Sequence, residues 1–375
     1  MAESAALNHA ARILTAVAQE GVPADGALRH YFLETRHLGP SDRRHISRAV
    51  FAYYRWLQWL DHDLSLQKKL MKAAALQERF NADETSVKPE ALAARAIPGW
   101  LHDEMDVPPE YLRHLQREPA LWLRARPGTA PKLARELGDC AVSDRAPDAL
   151  RFTGTQDLFA TPAFHRGAFE IQDLASQLVG HACAPKPGET WWDACAGEGG
   201  KLLHLADLMG NKGVIWGSDR NERRLQILKR RTSRAQIFNY RVASWNGSAQ
   251  LPTKTKFDGI LVDAPCSGVG TWHRNPHARW TTSVEDVREL AVTQRALLEH
   301  VAGSLKPGGR LIYAVCTLPK SETTAVAASF AAAHPEMEPW PLFGSEQASS
   351  DSQLFLWPHE LNANGMFIAA WKRKS

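Results

Sequence analysis

Long apolar runs are missing from this sequence, and so are paired cysteines. No stretch reaches the length needed to span a membrane. The first residues, Met1-Ala2-Glu3-Ser4, lack the basic-then-apolar pattern of a secretion signal. The expectation is a cytoplasmic protein without a membrane partner. Cysteine is scarce: Cys140, Cys183, Cys195, Cys266 and Cys316 make an odd five, and none of them forms a Cys-x-x-Cys spacing. That argues against a disulfide framework and a zinc site, and no metal is expected. Each thiol is then either a small core residue or a reactive group. The net charge is only +4, too little to establish an anionic partner by itself. Internal repeats and low-complexity tracts are absent as well.

What charge there is lies unevenly. Residues 220–241 hold Arg220, Arg223, Arg224, Lys229, Arg230, Arg231, Arg234 and Arg241 against one acid, Glu222. Such a run reads either as a solvated helix face or as a phosphate-binding one.

Helical periodicity dominates residues 1–90. Leu7, Ala11, Leu14 and Val17 share a stripe that Gly21 can end. A second helix is expected over Ala24–Leu38. A third is expected behind an N-cap at Ser41-Asp42, with Ile46, Val50, Tyr53 and Leu57 inward and Arg43, Arg44, Arg48 and Arg55 outward. Residues 91–165 read as a small α/β module, with strands at Leu121–Ala125 and Leu150–Phe152. Residues 166–375 alternate strand and helix, which implies a doubly wound, mostly parallel sheet of Rossmann-like α/β type. Expected strands are Thr190–Asp193, Gly213–Asp219, Phe257–Asp263 and Arg310–Val315. A helix is expected over Val287–Leu305, and the polar stretch Gly344–Asp351 reads as a loop. In such sheets ligands bind at the carboxyl ends of the strands.

Two of those ends carry chemistry. The turn Asp193-Ala194-Cys195-Ala196-Gly197-Glu198-Gly199-Gly200-Lys201 joins a strand to a helix, and its glycines let a ligand approach the backbone. The turn is not of Gly-x-Gly-x-x-Gly form and no Walker lysine–serine pair follows. Asp219 ends the next strand, where an acid suits ribose hydroxyls. An adenosine without a phosphate chain, such as S-adenosylmethionine, is the better match. Further on, Asp263-Ala264-Pro265-Cys266 and Cys316-Thr317 follow two other strands and are expected to face one crevice. Cys140 and Cys183 read as core or surface residues, and Cys195 is expected to pack beneath its turn. Two thiols beside a methyl donor suggest covalent activation of cytosine: addition to carbon-6 makes carbon-5 nucleophilic. Asp263 is placed to act as the acid near ring N3. The residues do not decide which thiol adds.

Residues 166–375 resemble the Sun/RsmB family of RNA cytosine-C5 methyltransferases. The stretches that carry the resemblance are Phe169–Gln177, Asp193–Lys201, Asp263–Pro276, Lys306–Leu318 and Asn364–Ala369. It implies a class I methyltransferase domain using S-adenosyl-L-methionine, with Cys316 as the nucleophile and Cys266 as the thiol that promotes release. It also implies cofactor contacts from Cys195, Ala196, Gly197, Glu198, Gly199, Gly200, Lys201, Asp219 and Asp263, with Lys201 orienting the site. The N-terminal helices resemble a NusB-like RNA-binding domain, and the middle module a small RNA-binding insertion. RNA is therefore the expected partner, ribosomal rather than transfer RNA, for a monomeric enzyme. Some positions depart from the family. Trp245-Asn246-Gly247 stands where an aspartate is usual, leaving Asn246 as the candidate adenine contact. Glu198 replaces a common proline, His273 an arginine, and Glu322-Thr323-Thr324 the usual Glu-Asn-Glu. These departures leave open a non-catalytic RNA-binding or ribosome-assembly role on the same fold.

Overall fold

The computed structural model describes residues 3–343 and 351–375, so the loop expected at Gly344–Asp351 lies outside the described residues except for Asp351. The chain divides into two compact units, one of residues 1–119 with 271–284, the other of 120–270 with 285–375. The first unit is helical. Helices Glu3–Glu20, Ala24–Glu34, Pro40–Arg55 and Leu66–Ala82 bury one apolar stripe each, so that Leu7, Leu14, Val17, Ile46, Val50 and Leu70 share a core. The second helix stops at Glu34, short of the expected Leu38. The third begins at Pro40 behind Gly39, because proline is preorganised for the first helical position, and Ser41-Asp42 is not its cap.

Arg55, expected on an outer face, is buried. Its guanidinium donates to the Gln77 Oε1 at 2.9 Å and to the His273 carbonyl at 3.3 Å. His273 arrives with residues 271–284, which complete this unit from far along the chain. From the same segment, Arg279 donates to the carbonyls of Ala96 and Leu115, both at 2.9 Å, and Trp280 to that of Tyr54 at 2.7 Å.

The second unit holds two sheets. Strands β1 (Leu121–Ala125), β2 (Cys140–Val142), β3 (Ala149–Phe152) and β4 (Phe169–Ile171) form an antiparallel sheet in the order β2-β3-β1-β4. The boundaries expected at 90 and 165 therefore follow neither unit. Helices through His114 belong with the first unit, and β4 joins the strands of the middle module.

The larger sheet contains β5 (Thr190–Asp193), β6 (Val214–Asp219), β7 (Tyr240–Ser244), β8 (Phe257–Asp263), β9 (Leu305–Val315), β10 (Met337–Pro339), β11 (Gln353–Leu356) and β12 (Met366–Arg373). Its order is β10-β12-β9-β8-β5-β6-β7, with β11 also paired to β12. The strands from β5 to β9 pair in parallel, and β12 runs antiparallel to β9. This is the doubly wound, mostly parallel, Rossmann-like sheet expected from the strand–helix alternation, and it fits the class I methyltransferase domain that the family resemblance implies. Side chains alternate between two cores: Trp191, Leu261, Ile312 and Ile368 pack on one face, Trp192, Ile260, Val262, Tyr313 and Phe367 on the other. Both faces are covered, so the strands read as near-continuous apolar runs. The long helix spans Val284–Ala302, and β9 starts at Leu305 rather than Arg310. Phe257 pairs with Leu305 and a register shift follows, which draws Lys306–Gly309 into the strand. The chain order reverses at β5, between β6 and β8, and a ligand crevice belongs there.

Candidate active site

A cavity of about 520 Å³ opens at the carboxyl ends of these strands, within the range of small-molecule sites. Its wall includes Cys195 from the turn after β5, Asp219 at the end of β6, Trp245 and Asn246 after β7, Asp263 at the end of β8, and Cys266 and Cys316. Of the turn residues expected to contact a cofactor, Cys195 lines the cavity, whereas Ala196, Gly197, Glu198, Gly199, Gly200 and Lys201 are not in its wall. Cys195 thus stands in the wall while also packing against the core that contains Trp192 and Trp245.

The turn is shaped by its own packing. Gly199 has φ of +85°, and a Cβ there would come within 2.7 Å of the Leu228 side chain, so only glycine fits. The Gly197 N–H donates to Asp219 Oδ2 at 3.0 Å, and Oδ1 of the same carboxylate accepts from the Asn221 N–H at 2.8 Å. Asp219 therefore ties the turn to the next strand while facing the cavity. Glu198 points outward, with its carbonyl taking a bond from Arg231. Asp193, beneath the cavity, is fully buried, and its carboxyl is pushed up to about 8 by burial and by the Asp263 charge.

Lys201 lies in the first turn of helix Gly200–Leu208, and its Nζ bonds Asp263 Oδ2 at 2.7 Å. Burial alone would lower the lysine. The charge and hydrogen bond of Asp263 outweigh it and hold the ammonium above its ordinary value. Cys266 and Cys316 meet with their sulfurs 3.3 Å apart, as expected for one crevice.

The five thiols differ sharply. Burial pushes Cys140 and Cys183 up, and burial with the surrounding carboxylates does the same to Cys195. Cys316 alone moves down among the shifted thiols, because the hydrogen bond it shares with Cys266 favours its thiolate and the Lys201 charge acts in the same direction. Cys266 moves up for the complementary reason: its proton is held by its partner.

Several wall residues gave no signal as single letters. Trp245 is buried against Trp192, with ring centroids 5.2 Å apart, and its indole N–H is held by the Ser248 and Gln250 carbonyls. From the long helix come Thr293, Leu297 and Val292, the last 60% exposed and so an apolar surface open to a ligand. The basic helix also divides. Arg231 and Arg234 bind Glu170, and Arg234 covers the Phe164 ring, so these two are structural. Arg220 and Arg224 reach the cavity wall, and Arg223, Lys229 and Arg230 are exposed.

The family model for the 16S rRNA methyltransferases RsmB/F matches residues 181–372. The chain belongs to the RsmB/F family. A probable ribosomal RNA small subunit methyltransferase B of Synechocystis is 33% identical over 69% of this chain and 61% of its own length. A Bacillus subtilis protein of the same description is 33% identical over 65% of this chain and 56% of its own length. The chain thus spans roughly three fifths of the curated relatives it matches. The crystal structure of PH0851 aligns with a TM-score of 0.80 at 23% identity, covering 98% of this chain and 99% of that one, which establishes a shared fold. The methyl donor of this RsmB/F methyltransferase domain is S-adenosyl-L-methionine. The cavity suits it: two carboxylates, an amide and apolar walls fit a nucleoside with a short charged tail. Among the described residues no helix is long and apolar enough to cross a membrane, and no group of three or more His, Cys, Asp or Glu side chains could hold a metal ion.

Proposed function

We propose that this chain transfers a methyl group from S-adenosyl-L-methionine to carbon-5 of a cytosine in RNA, through a covalent bond between Cys316 and carbon-6. The observation that carries the reading is the pair of sulfurs 3.3 Å apart at the wall of a cavity that also holds Asp263; the choice of Cys316 as nucleophile follows the family resemblance, and the Lys201 charge favours its thiolate. The bound cofactor would supply an electrophilic methyl group. Asp219 and Asn246 would bind its ribose and adenine, Trp245, Val292 and Leu297 would wall it, and the Cys195–Lys201 turn would support it.

Carbon-5 of cytosine is a poor nucleophile. Addition of the Cys316 thiolate to carbon-6 forms an S–C bond and shifts electron density onto carbon-5. Asp263, hydrogen-bonded to the Lys201 ammonium, is the group assigned to ring N3: a proton passed from Lys201 through the carboxylate to N3 neutralises the charge the adduct builds. Once Cys316 is bonded to carbon, Cys266 no longer has a thiolate to donate to. It can then lose its proton to solvent and, as thiolate, take the carbon-5 proton; the electrons of that C–H bond form the carbon-5–carbon-6 double bond, Cys316 leaves with the S–C pair as thiolate, and the N3 proton returns to the Asp263–Lys201 pair. Chemistry on exocyclic amines or on protein side chains would need neither thiol. A base must be unpaired or flipped out of its stack to reach such a site.

RNA, and ribosomal RNA of the small subunit in particular, is assigned from the descriptions of the relatives. The exposed Arg223, Lys229 and Arg230 supply a cationic face for phosphates. The test is radiolabelled methyl transfer to RNA. Cys316→Ala should transfer nothing, and Cys266→Ala should accumulate protein joined to RNA on a denaturing gel. A Cys266→Ala protein that runs free of RNA would sink the reading.

A further inference from the structure

Glu322 follows Cys316 by six residues and has no exposed surface. Its side chain touches both cysteine loops at once. Oε1 accepts the Ser267 N–H at 2.9 Å and the Gln294 Nε2–H at 2.9 Å. Oε2 contacts the Ser267 hydroxyl, and the Thr317 hydroxyl at 3.1 Å. Ser267 is the neighbour of Cys266, and Thr317 the neighbour of Cys316. Gln294 adds a second strut, donating to the Pro265 carbonyl at 2.9 Å. The Tyr313 hydroxyl fixes the Glu322 backbone by donating to its carbonyl at 2.6 Å.

Counting protons fixes the ionisation state. Oε2, Ser267 Oγ and Thr317 Oγ1 form a triangle, since the two hydroxyl oxygens are also 2.7 Å apart. Three edges need three protons, and the two hydroxyls supply two. A carboxylate would leave one edge as two lone pairs in contact, whereas a carboxylic acid closes the ring. Oε1, with two N–H donors, is then the carbonyl oxygen, and Oε2 carries the proton. Burial acts in the same direction, pushing the Glu322 carboxyl up. Neutrality matters for the thiols, because an ionised Glu322 would oppose the thiolate form of both Cys266 and Cys316.

We propose that Glu322, as a neutral carboxylic acid, is the positioning residue that holds the loops of Cys266 and Cys316 at their working separation. Its part in turnover rests on the cytosine methyl-transfer reading, but its structural action does not. The experiment therefore uses a readout that needs no RNA. Diamide oxidises two adjacent thiols to a disulfide and is itself reduced to the hydrazine, so its rate with the whole protein reports on Cys266–Cys316 proximity. Glu322→Ala should slow this disulfide by about tenfold or more, the scale on which an ångström of misplacement acts. Glu322→Gln, whose amide can feed the same hydroxyls while its oxygen keeps both N–H bonds, should stay near the wild-type rate. Binding of S-adenosylhomocysteine should be unchanged in both. In methyl transfer, Glu322→Ala should lower kcat and leave KM for RNA in place, with glutamine restoring kcat.

A Glu322→Ala protein that binds S-adenosylhomocysteine and forms the disulfide at the wild-type rate overturns the proposal. A Glu322→Gln protein as slow as the alanine variant overturns the neutral form. If Glu322→Ala fails to fold, the double variant Ser267→Ala with Thr317→Val removes the hydroxyl bonds to Oε2, the part of the network that reaches the Cys316 loop. It should reproduce the slow disulfide, and a wild-type rate there also overturns the proposal. Absence of methyl transfer in the wild-type protein would instead count against the enzymatic reading alone.

Discussion

On the β5–β6–β7 side of the cavity each polar group is delivered by its own strand end: Cys195 after β5, Asp219 at the end of β6, Asn246 just past β7. On the β8–β9 side the groups are delivered jointly. Cys266 and Cys316 stand where they do because Glu322, Gln294, Ser267 and Thr317 are bonded across the two loops. The first half can lose one member and keep the rest. The second is a closed network, in which removing a member leaves buried donors without acceptors. Substitutions on the first side should therefore change cofactor affinity, and substitutions on the second should change thiol chemistry.

That division can be broken experimentally. The largest effect on the first side is expected for Asp219→Ala, which removes a charged acceptor from the wall and from the Gly197 and Asn221 N–H groups. S-adenosylhomocysteine should bind about 10- to 100-fold more weakly by calorimetry, in line with about 1.5–3 kcal/mol for a bond to a charged group. Alkylation of Cys316 should be unaffected, and an equal change in both would mean the two halves are one. Lys201→Met tests the second side. Cys316 lies below the ordinary thiol range through the Cys266 hydrogen bond, with help from the Lys201 charge. Without that charge its titration moves up, so the thiolate forms at higher pH and iodoacetamide labelling slows at pH values below the new midpoint. A midpoint rise on the order of one unit is expected, equal to about 1.4 kcal/mol, with cofactor affinity largely kept. The smallest effect belongs to Asn246→Ala. Its Oδ1 already accepts from the Ser248 N–H at 3.1 Å, so loss of one neutral ligand bond should weaken S-adenosylhomocysteine binding by only about 2- to 10-fold.

The same contrast explains what could be read from the letters. Asp219, Asp263, Cys266 and Cys316 were visible because each terminates or follows a buried strand, and strand ends of a parallel sheet converge. Lys201 was visible only through the family resemblance, yet its bond to Asp263 puts it beside the thiols. The turn after β5 was visible as a turn, but its glycines serve the close packing of Leu228 and Arg224, and pattern alone could not tell that from ligand contact. Glu322 stood out only as the first residue of an altered polar motif, Glu322-Thr323-Thr324. Its partners lie 55 residues upstream at Ser267 and 28 upstream at Gln294, distances at which spacing carries no signal. Arg55 was misplaced for the same reason: a stripe of arginines reads as solvated unless the segment that buries one of them, 218 residues away, is known.

That segment has a consequence for biosynthesis. Residues 1–119 leave the ribosome well before Trp272, Arg279 and Trp280 are translated, and all three sit inside the helical unit. At about 5–20 residues per second, the nascent helices wait many seconds with the carbonyls of Ala96, Leu115 and Tyr54 unmet. The helical unit thus cannot be finished until residues 271–284 have been made, so a ribosome stalled between residues 119 and 271 carries that unit without the segment that completes it.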